Sequence, residues 1–382
     1  MKLKELGEIV TGNTPSKKNE EFYESNDICF FKPGDLEEDY IVELNNSEEY
    51  ISEKARNKAR ILPQDSILVT CIGTIGKVGL LLQEATCNQQ INAIIPNDNI
   101  VPKYLAYAIY SKQKYLQKKA NAPVVPIINK KDFSEVDVKI CDKKEQQKIV
   151  EKLDTIMQII DLKKSQLNGM DDLIKSQFVE MFGDINTNNK NWNKDSLKNH
   201  LSVSGGFAFK STEFQKSGIP VLRIGNINTG KFRPKDLMFW KEDASLENYA
   251  IYPNDVLISL TGTVGKDDYG NVCIIGDDYP KYYLNQRNAK LNLKESINKE
   301  FISYSLKVPE IKKRLTGISR GVRQANISNK DIENLQIPIP PIELQNQFAD
   351  FVKQVDKQKF VIQKSLEKSQ LLFNSLMDKY FG

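Results

Sequence analysis

ILVTCIGTIGK (67–77) and VLISLTGTVGK (256–266) are the same phrase written twice in one chain of 382 residues. Each is a short apolar run that ends in Gly-x-x-Gly-Lys. A phosphate-binding loop would need G-x-x-x-x-G-K-[ST], with the last hydroxyl on magnesium. Here Gly73 and Gly76 are only three apart, Val78 succeeds Lys77, and Asp267 succeeds Lys266. No helix start comes next to turn its N–H groups toward an anion. The chain instead enters a second apolar run, VGLLL (78–82) or NVCII (271–275). The phrase therefore reads as a strand, a glycine-rich hairpin connection and a second strand.

On both sides of the phrase the whole chain repeats. Gly73 matches Gly262 at an offset of 189. FKPGDL (31–36) answers LRIGNI (222–227) at 191, and NQQINA (88–93) answers NQRNAK (285–290) at 197. NKKDF (129–133) answers SNKDI (328–332) at 199, and MFG (181–183) answers YFG (380–382) at 199. The order is kept while the offset drifts by ten. Two copies of so long a period make two domains rather than a solenoid.

Each copy has two parts. The first parts, 1–141 and 192–340, mix Gly/Pro/Asn punctuation with apolar runs expected as strands at 66–71, 91–95, 256–260 and 272–275. One helix is expected over 102–120, with Pro102 in its first turn. The second parts, 142–183 and 341–382, read as long helices. Ile149, Leu153, Ile156, Ile160 and Leu167 form an apolar seam in the first, with a gap near Lys163. Phe348, Val352, Val355, Ile362 and Leu366 form it in the second. About 38 residues of helix span ~57 Å, and a seam of near-3.5 period calls for a partner helix. The expected fold is α+β: two pseudo-two-fold-related mixed α/β modules separated by two long antiparallel helices forming a coiled-coil spacer.

Composition narrows the function. Lys and Arg number 54 against 50 Asp and Glu, a net charge of +4, so a nucleic-acid partner would need the cations gathered on one face. A single histidine, His200, leaves little room for histidine-based catalysis or metal binding. Five scattered cysteines form neither a disulfide framework nor a metal-ligand spacing. No apolar run approaches the ~20 residues that span a bilayer, and MKLKELGEIV (1–10) does not read as a secretory signal; a cytoplasmic location is expected. No G-x-S-x-G, H-E-x-x-H or N/D-P-P-Y/F methyltransferase motif is present, and Pro340-Pro341 belongs to IPIPPIEL (337–344).

Two modules, two long helices and no catalytic motif resemble the specificity (S) subunits of type I restriction–modification systems. The resemblance rests on the doubled phrase, on Asn88-Gln89 and Asn285-Gln286, and on ISNKDIENLQIPIPPIELQNQFADFV (327–352). The first copy departs from the last run, with Cys141 and Asp142 in place of prolines, but keeps Glu145-Gln146-Gln147. The resemblance implies two target-recognition domains, each reading half of a bipartite, asymmetric DNA target. It implies helices that set the half-site spacing and dock two methyltransferase (M) subunits, with restriction (R) subunits joining the full complex. It also implies that the chain is non-catalytic and binds no cofactor of its own. The assembled complex would be an adenine-N6 methyltransferase and ATP-dependent endonuclease, with S-adenosylmethionine, ATP and Mg held by partner subunits. The readings set against it are the recognition portion of a DNA methyltransferase or nuclease, and a helical scaffold without DNA specificity.

Base reading needs Arg or Lys for guanine and Asn or Gln for adenine; phosphate contacts need only positive charge in reach. On that basis Lys32 and Arg223, equivalent in KPG and RIG, are candidate DNA contacts, as are Lys77 and Lys266 of the glycine loops. The stretch IKKRLTGISRGVRQANIS (311–328) adds Arg320, Arg323 and Gln324. Its counterpart NAPVVPIINK (121–130) is nearly uncharged, which turns attention to Lys112 and Lys118 in the first module. Lys210 joins the set for the second module, and Arg287 stands where the first copy has Gln90. Gln89 and Gln286, common to both copies, are expected to hold the fold.

Overall fold

The computed structural model describes residues 1–120, 125–263, 265–317 and 324–382. Two compact units result: Met1–Lys164 with Lys364–Gly382, and Ser165–Gln363, so each unit takes one half of each long helix.

In the first unit the strand Ile67–Thr70 lies at the centre of a five-stranded sheet. It pairs antiparallel with Val78–Leu81 on one side and Ile91–Pro96 on the other. Gly7–Thr11 closes one edge against Ile91–Pro96, and Val42–Leu44 runs parallel to Val78–Leu81 at the other. Ile67 and Val69 face a core that includes Tyr104, Leu105 and Ile109 of the helix Pro102–Ser111. Leu68 points the other way, toward Cys29, Phe31 and Leu36 beneath the small sheet of Ile28–Phe31, Glu49–Ile51 and Thr86–Cys87. A strand covered on both faces needs no polar alternation, which is why the phrase is a continuous apolar run.

The second unit repeats this order. Val256–Ser259 is flanked by Val272–Ile274 and Asn288–Leu293, with Leu201–Gly205 at the edge. Ile219–Leu222 runs parallel to Tyr282–Leu284, as Ile28–Phe31 does to Thr86–Cys87. Strand register locates part of the drift seen in sequence. Val69 faces Val78, whereas Ile258 faces Val272, so the second glycine loop is five residues longer. The start of that loop pairs antiparallel as a ribbon, Thr261–Thr263 against Gln324–Asn326, where the first unit has the shorter bridge of Ile72 to Ile127.

The helix expected over 102–120 is two, Pro102–Ser111 and Gln113–Lys119, broken at Lys112 with φ −93° and ψ 5°. Ser111 Oγ donates to Ala108 O at 2.7 Å, a local side-chain bond that competes with helix continuation. The second copy writes the same break as Pro309, between Lys299–Lys307 and Pro309–Thr316. Proline cannot continue the first helix but opens the next one well.

The long helices are Lys143–Phe182 and Ile342–Phe381, each 40 residues. In the first unit Ile149, Leu153, Ile156 and Ile160 share a core with Phe373, Met377 and Phe381 of the other helix. Tyr104 of the module meets Phe381 at 5.1 Å between ring centroids. In the second unit Phe178 and Phe182 meet Phe348 at 5.4 Å each, beside Val352 and Val355. Lys359 pairs with Asp171 there, so numbers rise along one helix as they fall along the other: the pairing is antiparallel. The seam thus binds helix to helix and both to the module. Leu167, Ile362 and Leu366 are half-buried. The gap at Lys163 is filled by its ammonium, which donates to Ser365 O at 3.1 Å and Ser369 Oγ at 2.7 Å.

A buried glutamine fastens each helix start to its module. Gln146 Oε1 accepts from Val101 N–H and its Nε2 donates to Cys141 O, both at 2.8 Å. Gln345 repeats this with Asn298 N–H and Pro340 O, again at 2.8 Å. The anchor survives in the copy that lacks the prolines because the acceptor is a main-chain carbonyl.

Candidate nucleic-acid interface

In each module three turns meet at one rim. The first strand ends at Gly12 or Gly206, where a Cβ would lie 2.3 Å from the carbonyl oxygen of Asn88 or Asn285 respectively, so no larger residue fits. That carbonyl opens the second turn. Asn88 Oδ1 accepts from Gln90 N–H at 3.0 Å, and Asn285 Oδ1 from Arg287 N–H at 3.3 Å. These asparagines, not the glutamines, hold the turn. Gln89 and Gln286 are exposed at the rim, which corrects the expectation that they hold the fold. Gln89 Oε1 accepts from Thr14 Oγ1 at 2.7 Å. An Asn side chain closes such a turn on its own backbone, whereas the next residue is turned outward.

The third turn carries Lys32 or Arg223. Asp35 Oδ2 accepts from Lys32 N–H at 2.6 Å, and Asn226 Oδ1 from Arg223 N–H at 2.9 Å. Asn226 is buried and also donates to Arg233 O and Lys235 O at 2.9 Å, fixing the adjoining loop. The two rims then diverge. Lys32 is ion-paired with Glu49, and the hydrogen bond from its ammonium holds that carboxyl below the usual range. Arg223 donates Nη2 to Asp236 O at 2.9 Å. It lines a cleft of about 480 Å³ with Lys235, Arg287, Gln286, Phe209 and Phe214. Arg287 and Arg223, far apart in sequence, are brought together there. Lys210 is exposed nearby in the chain and pairs with Glu213 at 3.4 Å.

Lys77 and Lys266, matched in sequence, differ in place. Lys77 Nζ donates to Leu36 O at 2.6 Å and Pro33 O at 3.2 Å, bracing the turn that carries Lys32. In the second module that brace is Asn271, whose Nδ2 donates to Asn228 O. Asn271 is itself held by Lys312 at 2.7 Å. Lys266 stands exposed on the longer loop beyond Gly265, whose φ is +80°. Lys112 donates to Phe381 O at 2.9 Å, at the end of the second long helix, and Lys118 is exposed. Arg320 and Arg323 lie outside the described residues; Gln324 pairs through its backbone with Thr263.

Sequence patterns do not single out Asn13, Thr14, Arg60 or Lys235. Arg60 N–H donates to Asn13 Oδ1 at 2.8 Å, and its guanidinium reaches Thr11 O, which puts it at the first rim. No local pattern marks it, because 11–14 and 60 meet only in the folded sheet. Elsewhere, burial raises the thiols of Cys71, Cys87 and Cys273 to about 12. Among the described residues no group of three or more His, Cys, Asp or Glu could hold a metal ion, and no helix is long and apolar enough to cross a membrane.

The long helices also present apolar side chains outward. Leu162 and Leu372 are 65% and 51% exposed in the first unit, and Val361 and Leu173 are 66% and 49% exposed in the second. Leu162 corresponds to Val361, and Leu173 to Leu372, at the same offset of 199 as the helices themselves.

The family model for the type I restriction modification DNA specificity domain matches residues 1–170 and again residues 189–371. The chain belongs to that family and carries its domain twice. It is 26% identical to the type I restriction enzyme MjaVIII specificity subunit of Methanocaldococcus jannaschii, over 83% of this chain and 78% of that one. To the MjaIX specificity subunit of the same organism it is 24% identical, over 99% and 91%. The crystal structure of a type I restriction–modification S subunit from M. genitalium shares the fold, with a TM-score of 0.59 at 16% identity over 100% of this chain and 95% of that one.

Proposed function

We propose that this chain is the DNA-reading subunit of a type I restriction–modification complex, in which each module reads one half of a bipartite, asymmetric target. The observation that carries the reading is one specificity domain present twice with two chemically different rims. The first rim has a lysine neutralised by Glu49, an arginine, Arg60, held on Thr11 O, and amide and hydroxyl groups at Asn13, Thr14 and Gln89. The second has a cationic cleft with Arg223, Lys235 and Arg287. Unlike surfaces meet unlike half-sites.

The paired helices set the spacing between the half-sites, which on one side of B-DNA is about one turn, ~34–36 Å. They dock two M subunits. Equivalent exposed apolar positions, Leu162 with Val361 and Leu173 with Leu372, support a partner that arrives as two copies using the same contact. The chain itself is non-catalytic. S-adenosylmethionine, ATP and Mg are held by M and R subunits, M modifies adenine N6, and the complex works in the cytoplasm. The test is genome-wide mapping of methylated adenines in cells expressing the chain with the M subunit of its own genome. A split, asymmetric motif is expected. Absence of any motif, or an uninterrupted one, refutes the reading.

A further inference from the structure

We propose that Arg287 reads a guanine in the half-site met by the second module, and that the first module lacks the equivalent contact. The inference rests on the DNA-reading function above and adds the base and the residue.

The two positions are equivalent in three dimensions. Gln90 O accepts from Cys71 N–H at 2.8 Å, and Arg287 O accepts from Leu260 N–H at 2.9 Å. Both residues have their own N–H on the side chain of the turn asparagine. Their side chains differ in availability. Gln90 Oε1 accepts from Asn88 Nδ2 at 3.0 Å, which ties its half-buried amide to the turn. Arg287 is exposed, and its guanidinium has no hydrogen-bond or ion-pair partner among the described residues. Its fork of donors fits guanine O6 and N7, the pairing that an arginine makes with a single base.

The neighbours favour a base edge over a phosphate. Arg223 in the same cleft has Nη2 held by Asp236 O, which leaves Arg287 as the guanidinium there with its whole fork available. Phe209 and Phe214 wall the cleft. Apolar walls strip the water from a phosphate without replacing all of its hydrogen bonds, whereas the two acceptors of a guanine edge are both satisfied by one guanidinium fork.

The first experiment maps methylated sites for the Arg287→Gln chain with its M subunit. One guanine, confined to one half of the motif, should relax, losing a preference of roughly 5- to 150-fold. An unchanged motif with uniformly reduced methylation marks a phosphate contact and overturns the proposal, as does relaxation in both halves. The second uses the wild-type complex and target duplexes in which each guanine in turn is 7-deazaguanine, which lacks the N7 acceptor but pairs normally. One guanine of a single half should be sensitive. No sensitive guanine overturns the proposal even if Arg287→Gln fails to fold. If the wild-type complex confers no motif at all, the DNA-reading function fails instead.

Discussion

Replacing Gln146 by leucine tests how the module is fastened to its helix. Leucine has similar volume but offers neither amide atom. The substitution orphans Val101 N–H and Cys141 C=O, each bonded to Gln146 at 2.8 Å at a site where the glutamine is 1% exposed. An unsatisfied buried polar group costs about 1–3 kcal/mol, so the pair should cost ~2–5 kcal/mol. A unit of this size shifts its melting point by about 2–4 °C per kcal/mol, which gives a fall of roughly 4–20 °C. Calorimetry of the full chain should show one of two transitions moving, since the second unit has its own anchor in Gln345. Hydrogen exchange at Val101 should accelerate at least tenfold. Gln147→Leu, at the exposed neighbouring position, should leave both readouts unchanged. A Gln146→Leu chain that melts within 1 °C of wild type, with Val101 still protected, would refute the anchor.

Lys77→Ala should lower the melting point of the first unit by a few degrees, because two carbonyls of the Lys32 turn lose their donor, while Lys266→Ala should not; in salt titrations of DNA binding only the latter should reduce the slope, by ~0.9. Leu162→Glu with Val361→Glu should leave the isolated chain folded but abolish co-purification with M; retained stoichiometric complex argues against that face. Alkylation at pH 8 in the native state should spare Cys71, Cys87 and Cys273, whose thiols are raised to about 12 by burial, and modify Cys141 first, as peptide mass spectrometry would read.

The duplication, the central strands and both long helices are legible in the sequence because each is a pattern in one dimension: a repeated phrase, a fully apolar run, a seam with helical period. The break at Lys112 is not, since no proline or glycine marks it; the other copy's Pro309 holds the clue. The loop lysines mislead more. Lys77 and Lys266 match letter for letter, yet five extra residues in the second loop turn one ammonium inward and leave the other outside. Gln89 and Gln286 suggest a structural role because they recur, but recurrence arises equally from a shared turn whose asparagine does the holding. Arg60 is invisible because its neighbours at the rim are some fifty residues away.

The joint at Gln146 and Gln345 has a consequence for how such a chain can change. On the module side it engages only main-chain N–H and C=O groups, which every residue but proline supplies in full. Side chains above the joint that do not pack on the long helices, as Tyr104 does on Phe381, can therefore be rewritten without disturbing this fastening. Change at the rims can then proceed by substitution alone, while the stem stays as it is.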